Sequence, residues 1–116
     1  MARSSNKSLG VARVIFFTRQ MELMTEFYRD VIGLKQVTAE PGWREFDAGA
    51  MRVALHSGPP SPKAKGPKLV FHAKDVAAAR EALVARGAKL GKVKPGHYTL
   101  CDGRDPDGNA IQLSSR

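Results

Sequence analysis

Cysteine is almost absent from this chain: Cys101 is the only one in 116 residues. A single thiol excludes an intrachain disulfide and suits a reducing compartment, so the expected location is the cytoplasm. No activating partner for Cys101 is recognisable, so it reads as packing and not as a nucleophile. No apolar run approaches the ~20 residues of a membrane span, and no membrane partner is expected. Residues 1–9 carry Arg3 and Lys7 and no apolar stretch; they read as a flexible basic tail and not as a secretory signal. Acidic residues are also scarce, eleven against nineteen basic ones, for a net charge of +8. Charge of that sign raises the question of nucleic acid. The basic residues are scattered, with only loose clusters at Lys63/Lys65/Lys68 and Lys89/Lys92/Lys94, and no aromatics interleave with them as a stacking platform requires. The expectation is no nucleic-acid partner and a surface that favours anionic small molecules.

What is present is ordinary globular material, 42% hydrophobic and 26% charged, in one domain's length. A chain this size buries roughly 65% of its unfolded surface, enough for a core without cross-links. The order of elements is stated twice. Residues 11–18 (VARVIFFT) are β-rich and follow Gly10. Leu23, Phe27 and Val31 then recur at helical spacing across residues 21–32, with Thr18 as a candidate cap and Gly33 as the stop. Short strands are predicted at residues 34–38, 43–48 and 52–56, separated by Pro41-Gly42 and Gly49. A Pro/Gly-rich connector, GPPSPKAKGP, covers residues 58–67. The second half repeats the order: a strand at residues 69–73, a helix capped by Asp75 and stopped by Gly87, then strands at 89–93, 98–102 and 110–114. The turn Asp105-Pro106-Asp107-Gly108-Asn109 introduces the last of them. The organisation is thus a first β-α-β-β-β module over residues 10–57, the linker 58–67 and a second module over 68–116. One such module leaves a sheet face uncovered, so two must combine.

The stretch FYRDVIGLK, the duplicated β-α-β-β-β order and the closing DPDGNAIQL resemble the vicinal oxygen chelate superfamily, which includes glyoxalase I, bleomycin-resistance proteins and extradiol dioxygenases. The resemblance covers nearly all of the chain after residue 10. It implies an α+β fold in which two modules form a U-shaped mixed sheet around a cleft, and a homodimer. In the metal-dependent members it also implies four ligands, one from the first and one from the last strand of each module. Counting seven residues back from Asp75 gives Lys68, and from its counterpart Gln20 gives Arg13. Four residues past Gly108 is Gln112, whose counterpart is Ala54. A divalent metal needs electron-pair donors such as carboxylate or neutral imidazole. Ala54 has none, Arg13 is a permanent cation, Lys68 would have to lose its proton, and only Gln112 offers a carbonyl oxygen. The expectation is therefore no metal and no cofactor, which tells against metal-dependent lyase or dioxygenase chemistry.

Strand alternation places Arg13, Ile15 and Phe17 on one face, Lys68, Val70 and His72 on the matching face of the second half, and Ala54 with His56 and Gln112 with Ser114. The candidate ligand-binding residues are Arg13, Phe17, His56, Lys68, His72 and Gln112. Two cations ~8 Å apart repel by about 2 kcal/mol at an effective dielectric of 20, a penalty that a bound carboxylate or phosphate removes. Acidic neighbours such as Glu45 and Asp47 are the internal alternative. The histidines read as hydrogen-bonded strand residues, with a displaced metal site the competing possibility. The function expected is binding of a small, anionic molecule, with the residues leaving open whether catalysis follows. The alternative is a glyoxalase-like lyase or dioxygenase-type enzyme with a divergent metal site.

Overall fold

The computed structural model describes residues 12–60 and 67–116, so the tail and the centre of the linker lie outside the described residues. The chain is α+β. Strand β1 (Arg13–Thr18) leads into helix α1 (Met21–Glu26), which continues as a π-helical turn over Phe27–Val31. Strands β2 (Lys35–Glu40), β3 (Trp43–Asp47) and β4 (Arg52–Ser57) complete the first module. The second comprises β5 (Lys68–His72), α2 (Val76–Ala85), β6 (Leu100–Arg104) and β7 (Ala110–Ser114). They form two mixed sheets, β1-β4-β3-β2 and β5-β7-β6. In each, the module's first strand runs parallel to its last and forms an edge.

The helices end where the glycines put them. Gly87 has φ +103°, and Ala88 N–H reaches the Leu83 carbonyl while Gly87 N–H reaches Val84, the paired bonds of a Schellman stop. Gly33, at φ +93°, does the same for the first helix by a wider route. Ile32 N–H bonds five residues back to Phe27 and Leu34 N–H six back to Tyr28, hence the π turn. Asp75 caps α2 as expected, accepting from Ala78 N–H at 3.0 Å. Thr18 does not cap α1. It lies two residues before the cap position, and its Oγ1 accepts from Gln20 N–H at 2.9 Å, a local turn that leaves Gln20 as the cap residue without a side-chain cap bond.

The strand expected at residues 89–93 is the other departure. Only isolated bridges, Leu90 with Gly103 and Lys94 with Leu100, survive there. The segment is weak in strand formers, with Gly91 at its centre, and the Arg80 guanidinium on α2 takes the carbonyls of Gly91 at 2.6 Å and Leu90 at 3.2 Å. Gly103 is required beside them: a Cβ there would run into the Leu90 side chain and come within 2.9 Å of the Lys89 carbonyl.

The modules share a core. Met24, Phe27 and Tyr28 of the first helical segment pack against Phe46, Val53 and Leu55 behind the first sheet, and against Leu69 and Ile111 behind the second. A second cluster, Val76, Leu83, Ala88, Cys101 and Leu113, lies under α2 and is joined to the first through Val31, Ile32, Phe71 and Leu90. Cys101 is fully buried, and burial pushes its thiol pKa up, as a packing residue requires. Polar contacts tie the same seam. Tyr28 Oη donates to Asp105 Oδ2 at 2.8 Å, Gln20 Nε2 to Asp107 Oδ1 at 2.6 Å, and Arg86 Nε to the Val31 carbonyl at 2.8 Å.

Candidate functional site

With the helices behind both sheets, the other face of each sheet is left open. Ile15, Phe17 and Val70 are 42%, 48% and 49% exposed there, which is far above what a core strand tolerates. The cross-strand registers fix what these faces present. In the first sheet the rows read Arg13–Arg52–Asp47, Ile15–Ala54–Glu45 and Phe17–His56–Trp43. In the second they read Lys68–Ala110–Arg104, Val70–Gln112–Asp102 and His72–Ser114–Leu100. Ala54 lies opposite Ile15 just as Gln112 lies opposite Val70, and Gln20 and Asp75 are both helix N-caps. The repeat alignment that selects Arg13, Ala54, Lys68 and Gln112 therefore holds in three dimensions.

Each open face has a carboxylate at its centre. Glu45, 6% exposed, takes Arg52 Nη1 at 2.9 Å and Arg13 Nε at 3.3 Å. The Arg52 hydrogen bond first, and the Arg13 charge after it, hold its carboxyl below the usual range. Asp102 occupies the corresponding place opposite Gln112. Its Oδ1 accepts from Gln112 Nε2 at 2.8 Å and Lys68 Nζ at 3.0 Å, and its Oδ2 lies 3.7 Å from Lys94 Nζ. Those hydrogen bonds, Gln112's foremost, depress its pKa. Internal neutralisation is thus what the structure supplies for Arg13 and Lys68, by Glu45 in one case and Asp102 in the other. Glu45 was legible as an acidic neighbour in the sequence. Asp102 was not singled out, although it is the acid that the second half places beside the last-strand position, as Glu45 is in the first.

The six candidate residues fall into separate groups. Phe17 and His56 meet, ring centroids 5.1 Å apart, and Trp43 stands edge-on to His56 at 5.7 Å, so a small aromatic cluster ends the first face. His56 Nδ1 lies 2.9 Å from the Ser57 carbonyl. Lys68 and Gln112 meet on Asp102. His72 stands opposite Ser114 at the far end of β5, and Arg13 belongs with Glu45. Tyr98 is at the rim, with His97 edge-on at 4.7 Å and the Arg116 guanidinium 5.4 Å over its ring.

A family model for the Glyoxalase/Bleomycin resistance protein/Dioxygenase superfamily matches residues 10–113. The chain belongs to this superfamily. Solved structures of similar shape include SMU.1112c, with a TM-score of 0.79 at 20% identity over 91% of this chain and 98% of that one. A lactoylglutathione lyase from Agrobacterium tumefaciens gives 0.74 at 19% identity, over 92% and 93%. A glyoxalase/bleomycin resistance protein/dioxygenase family enzyme from Burkholderia phytofirmans PsJN gives 0.76 at 20% identity, over 91% and 98%. At these identities the likeness speaks to the fold. No curated protein matches the sequence significantly.

Metal-dependent members of the glyoxalase superfamily need four donors, and the residues at those four places do not fit one here. Arg13 and Lys68 are cations already engaged by carboxylates, Ala54 has no donor atom, and Gln112 turns its amide N–H₂ toward Asp102. Among the described residues no three His, Cys, Asp or Glu side chains converge as a metal site would require. No described helix is long and apolar enough to cross a membrane.

Proposed function

We propose that this member of the glyoxalase/bleomycin-resistance superfamily binds a small, anionic organic molecule against its open sheet faces, without a standard metal site, and that two copies complete the cleft. The observation that carries the reading is the pairing on these faces of uncovered apolar side chains, Ile15, Phe17 and Val70, with cations at the family's ligand positions. Apolar surface of that kind is stabilised by being covered, at roughly 25 cal/mol per Å². The unpaired edges β1 and β5 border it on both modules, and a second copy offers the matching face to each. In the completed cleft, Phe17 and His56 supply an aromatic corner, Lys68 and Gln112 a polar wall, and Arg13 with Glu45 a fixed ion pair. The chain's net charge of +8 supports an anionic ligand and tells against a cationic one such as bleomycin.

A glyoxalase-like lyase or dioxygenase-type enzyme is the second reading, supported by the lactoylglutathione lyase among the solved structures of this shape. It has to find its electrophile elsewhere than at the four ligand positions. One experiment separates the two: metal content and thermal shift on the same purified protein, with divalent metals and a panel of aromatic and aliphatic acids. The expected outcome is substoichiometric metal and stabilisation by acids that Phe17→Ala abolishes. Stoichiometric nickel, zinc or iron, with turnover that depends on it, overturns the proposal in favour of the enzyme.

A further inference from the structure

The two open faces differ in charge balance. On the first, Arg13, Arg52 and Lys35 stand against Glu45, Asp47 and Glu40, all placed on that face by the cross-strand registers. Three cations meet three carboxylates, and Glu45 is saturated by its two arginines. On the second, among the described residues, Lys68, Lys94 and Arg104 face Asp102 alone. Asp102 in turn is saturated by Lys68, Gln112 and Lys94, so it leaves two positive charges unbalanced.

The geometry gathers those charges around a hollow. Lys68, Ala110 and Arg104 form one cross-strand row, with the smallest side chain in the middle. Neighbouring strands lie ~4.8 Å apart, so the two long cationic side chains start roughly 10 Å from each other over an alanine floor. A pocket of about 290 Å³ opens there, lined by Lys68, Asp102, Gly103, Arg104, Ala110 and Ile111. Arg104 is steadied from behind, since its Nη1 donates to the Gly108 carbonyl at 2.8 Å, and its Nε and Nη2 make no hydrogen bond among the described residues. Lys68 Nζ spends one donor on Asp102 and Lys94 Nζ points at the other Asp102 oxygen. Planar fork and ammonium together are suited to a compact oxyanion with several acceptor atoms.

We propose that the ligand's anionic group is taken by the second module, in the hollow between Lys68 and Arg104 over Ala110 with Lys94 beside it, and that this group is a phosphate or phosphate-like dianion. The proposal rests on the ligand-binding reading above and deepens it: the anion subsite moves away from Arg13, and Arg104 and Lys94 join it.

The test is titration of the intact protein with inorganic phosphate and with phenyl phosphate, read by calorimetry and thermal shift against chloride at equal ionic strength. Phosphate is expected to bind and stabilise. Arg104→Ala is expected to weaken it about tenfold, the loss of one charge-assisted contact of about 1.4 kcal/mol. Ala110→Glu, which fills the floor with a like charge, is expected to abolish binding while the protein stays folded. Arg29→Ala, which removes an equal charge from the π-helical turn of the first module, where it pairs with Asp30, serves as the control for general electrostatics. No phosphate effect beyond chloride overturns the proposal, as does an Arg13→Ala or Arg29→Ala loss as large as that of Arg104→Ala. Stabilisation by a non-phosphorylated aromatic acid that needs Phe17 but not Arg104 overturns it while leaving the ligand-binding reading intact. Failure of every acid to bind defeats both.

Discussion

Replacing Tyr28 with phenylalanine tests the claim that one buried hydrogen bond holds the two modules in register. Tyr28 is fully buried, and its hydroxyl donates to Asp105 Oδ2 at 2.8 Å across the seam. Burial first, and the Asp105 charge second, push the phenol far above its ordinary value, so it remains a donor at every pH at which the protein folds. The ring keeps its packing in the variant, edge-on to Phe27 at 5.1 Å and stacked near Phe16 at 6.2 Å, so the loss is confined to the hydrogen bond. Hydrogen bonds to charged groups contribute about 1.5–3 kcal/mol. Asp105 retains three other donors, the N–H of Asp107, the N–H of Asn109 and Asn109 Nδ2, so its charge is not stranded and the lower part of that range applies. About 2 kcal/mol, divided by the unfolding entropy of a domain this size, lowers Tm by about 8 °C. The assay is calorimetric melting of Tyr28→Phe and the parent at one fixed protein concentration, because oligomers melt in a concentration-dependent way. A fall of less than about 2 °C would refute the reasoning, since it would mean that this hydrogen bond contributes little beside the other contacts of the seam.

Other expectations follow from the same contacts. Gly103→Ala forces a Cβ against the Leu90 side chain and the Lys89 carbonyl, and is expected to destabilise by about 1–3 kcal/mol in urea melts. Glu45 and Asp102 both have depressed pKa values, so the unfolded chain binds more protons than the folded one as pH falls. Their stabilisation is complete above the ordinary carboxylate range and is lost below about pH 4; Glu45→Gln is expected to flatten that acid limb of a Tm-against-pH curve, and an unchanged slope contradicts the ion pairing. Ile15→Asp and Val70→Asp put charge into the uncovered faces, and each is expected to shift the proposed dimer to monomer in light scattering without loss of helical circular dichroism; a parent protein that is itself monomeric contradicts the pairing of two copies.

Much of the fold was legible because its signals are local. The alternation of Arg13–Thr18 and Lys68–His72, the glycines at 33 and 87 and the cap at Asp75 each act within a turn or two of themselves, so a linear reading recovers them. The failures are tertiary. Residues 89–93 hold a single β-branched residue, Val93, and a central Gly91, so their strand signal is weak, and Arg80, ten and eleven residues away, bonds the Leu90 and Gly91 carbonyls. Thr18 looks like a cap in the linear pattern, and only the structure reveals that its hydroxyl stops at the N–H of Gln20, while the helix begins at Met21.

The site was legible by position and not by chemistry, and the reason is the repeat itself. Duplication identifies equivalent places, so Arg13, Ala54, Lys68 and Gln112 could be singled out by counting, and the strand registers place them as counted. What those side chains do depends on a third strand in each module, β3 or β6, whose register cannot be counted from the motifs because the intervening turns differ in length. That strand brings Glu45 to Arg13 and Asp102 to Lys68. A reading by position alone leaves two bare cations awaiting an anion. With the third strand in place, the first cation is already answered, because Glu45 sits between two arginines on a face whose charges cancel. The second is answered by Asp102, but Asp102 is shared by three donors, and Arg104 stands across Ala110 with nothing acidic in its row. The difference between the modules, and not the symmetry that revealed the fold, is what makes the second open face the more positive of the two, the feature on which the proposed anion subsite rests.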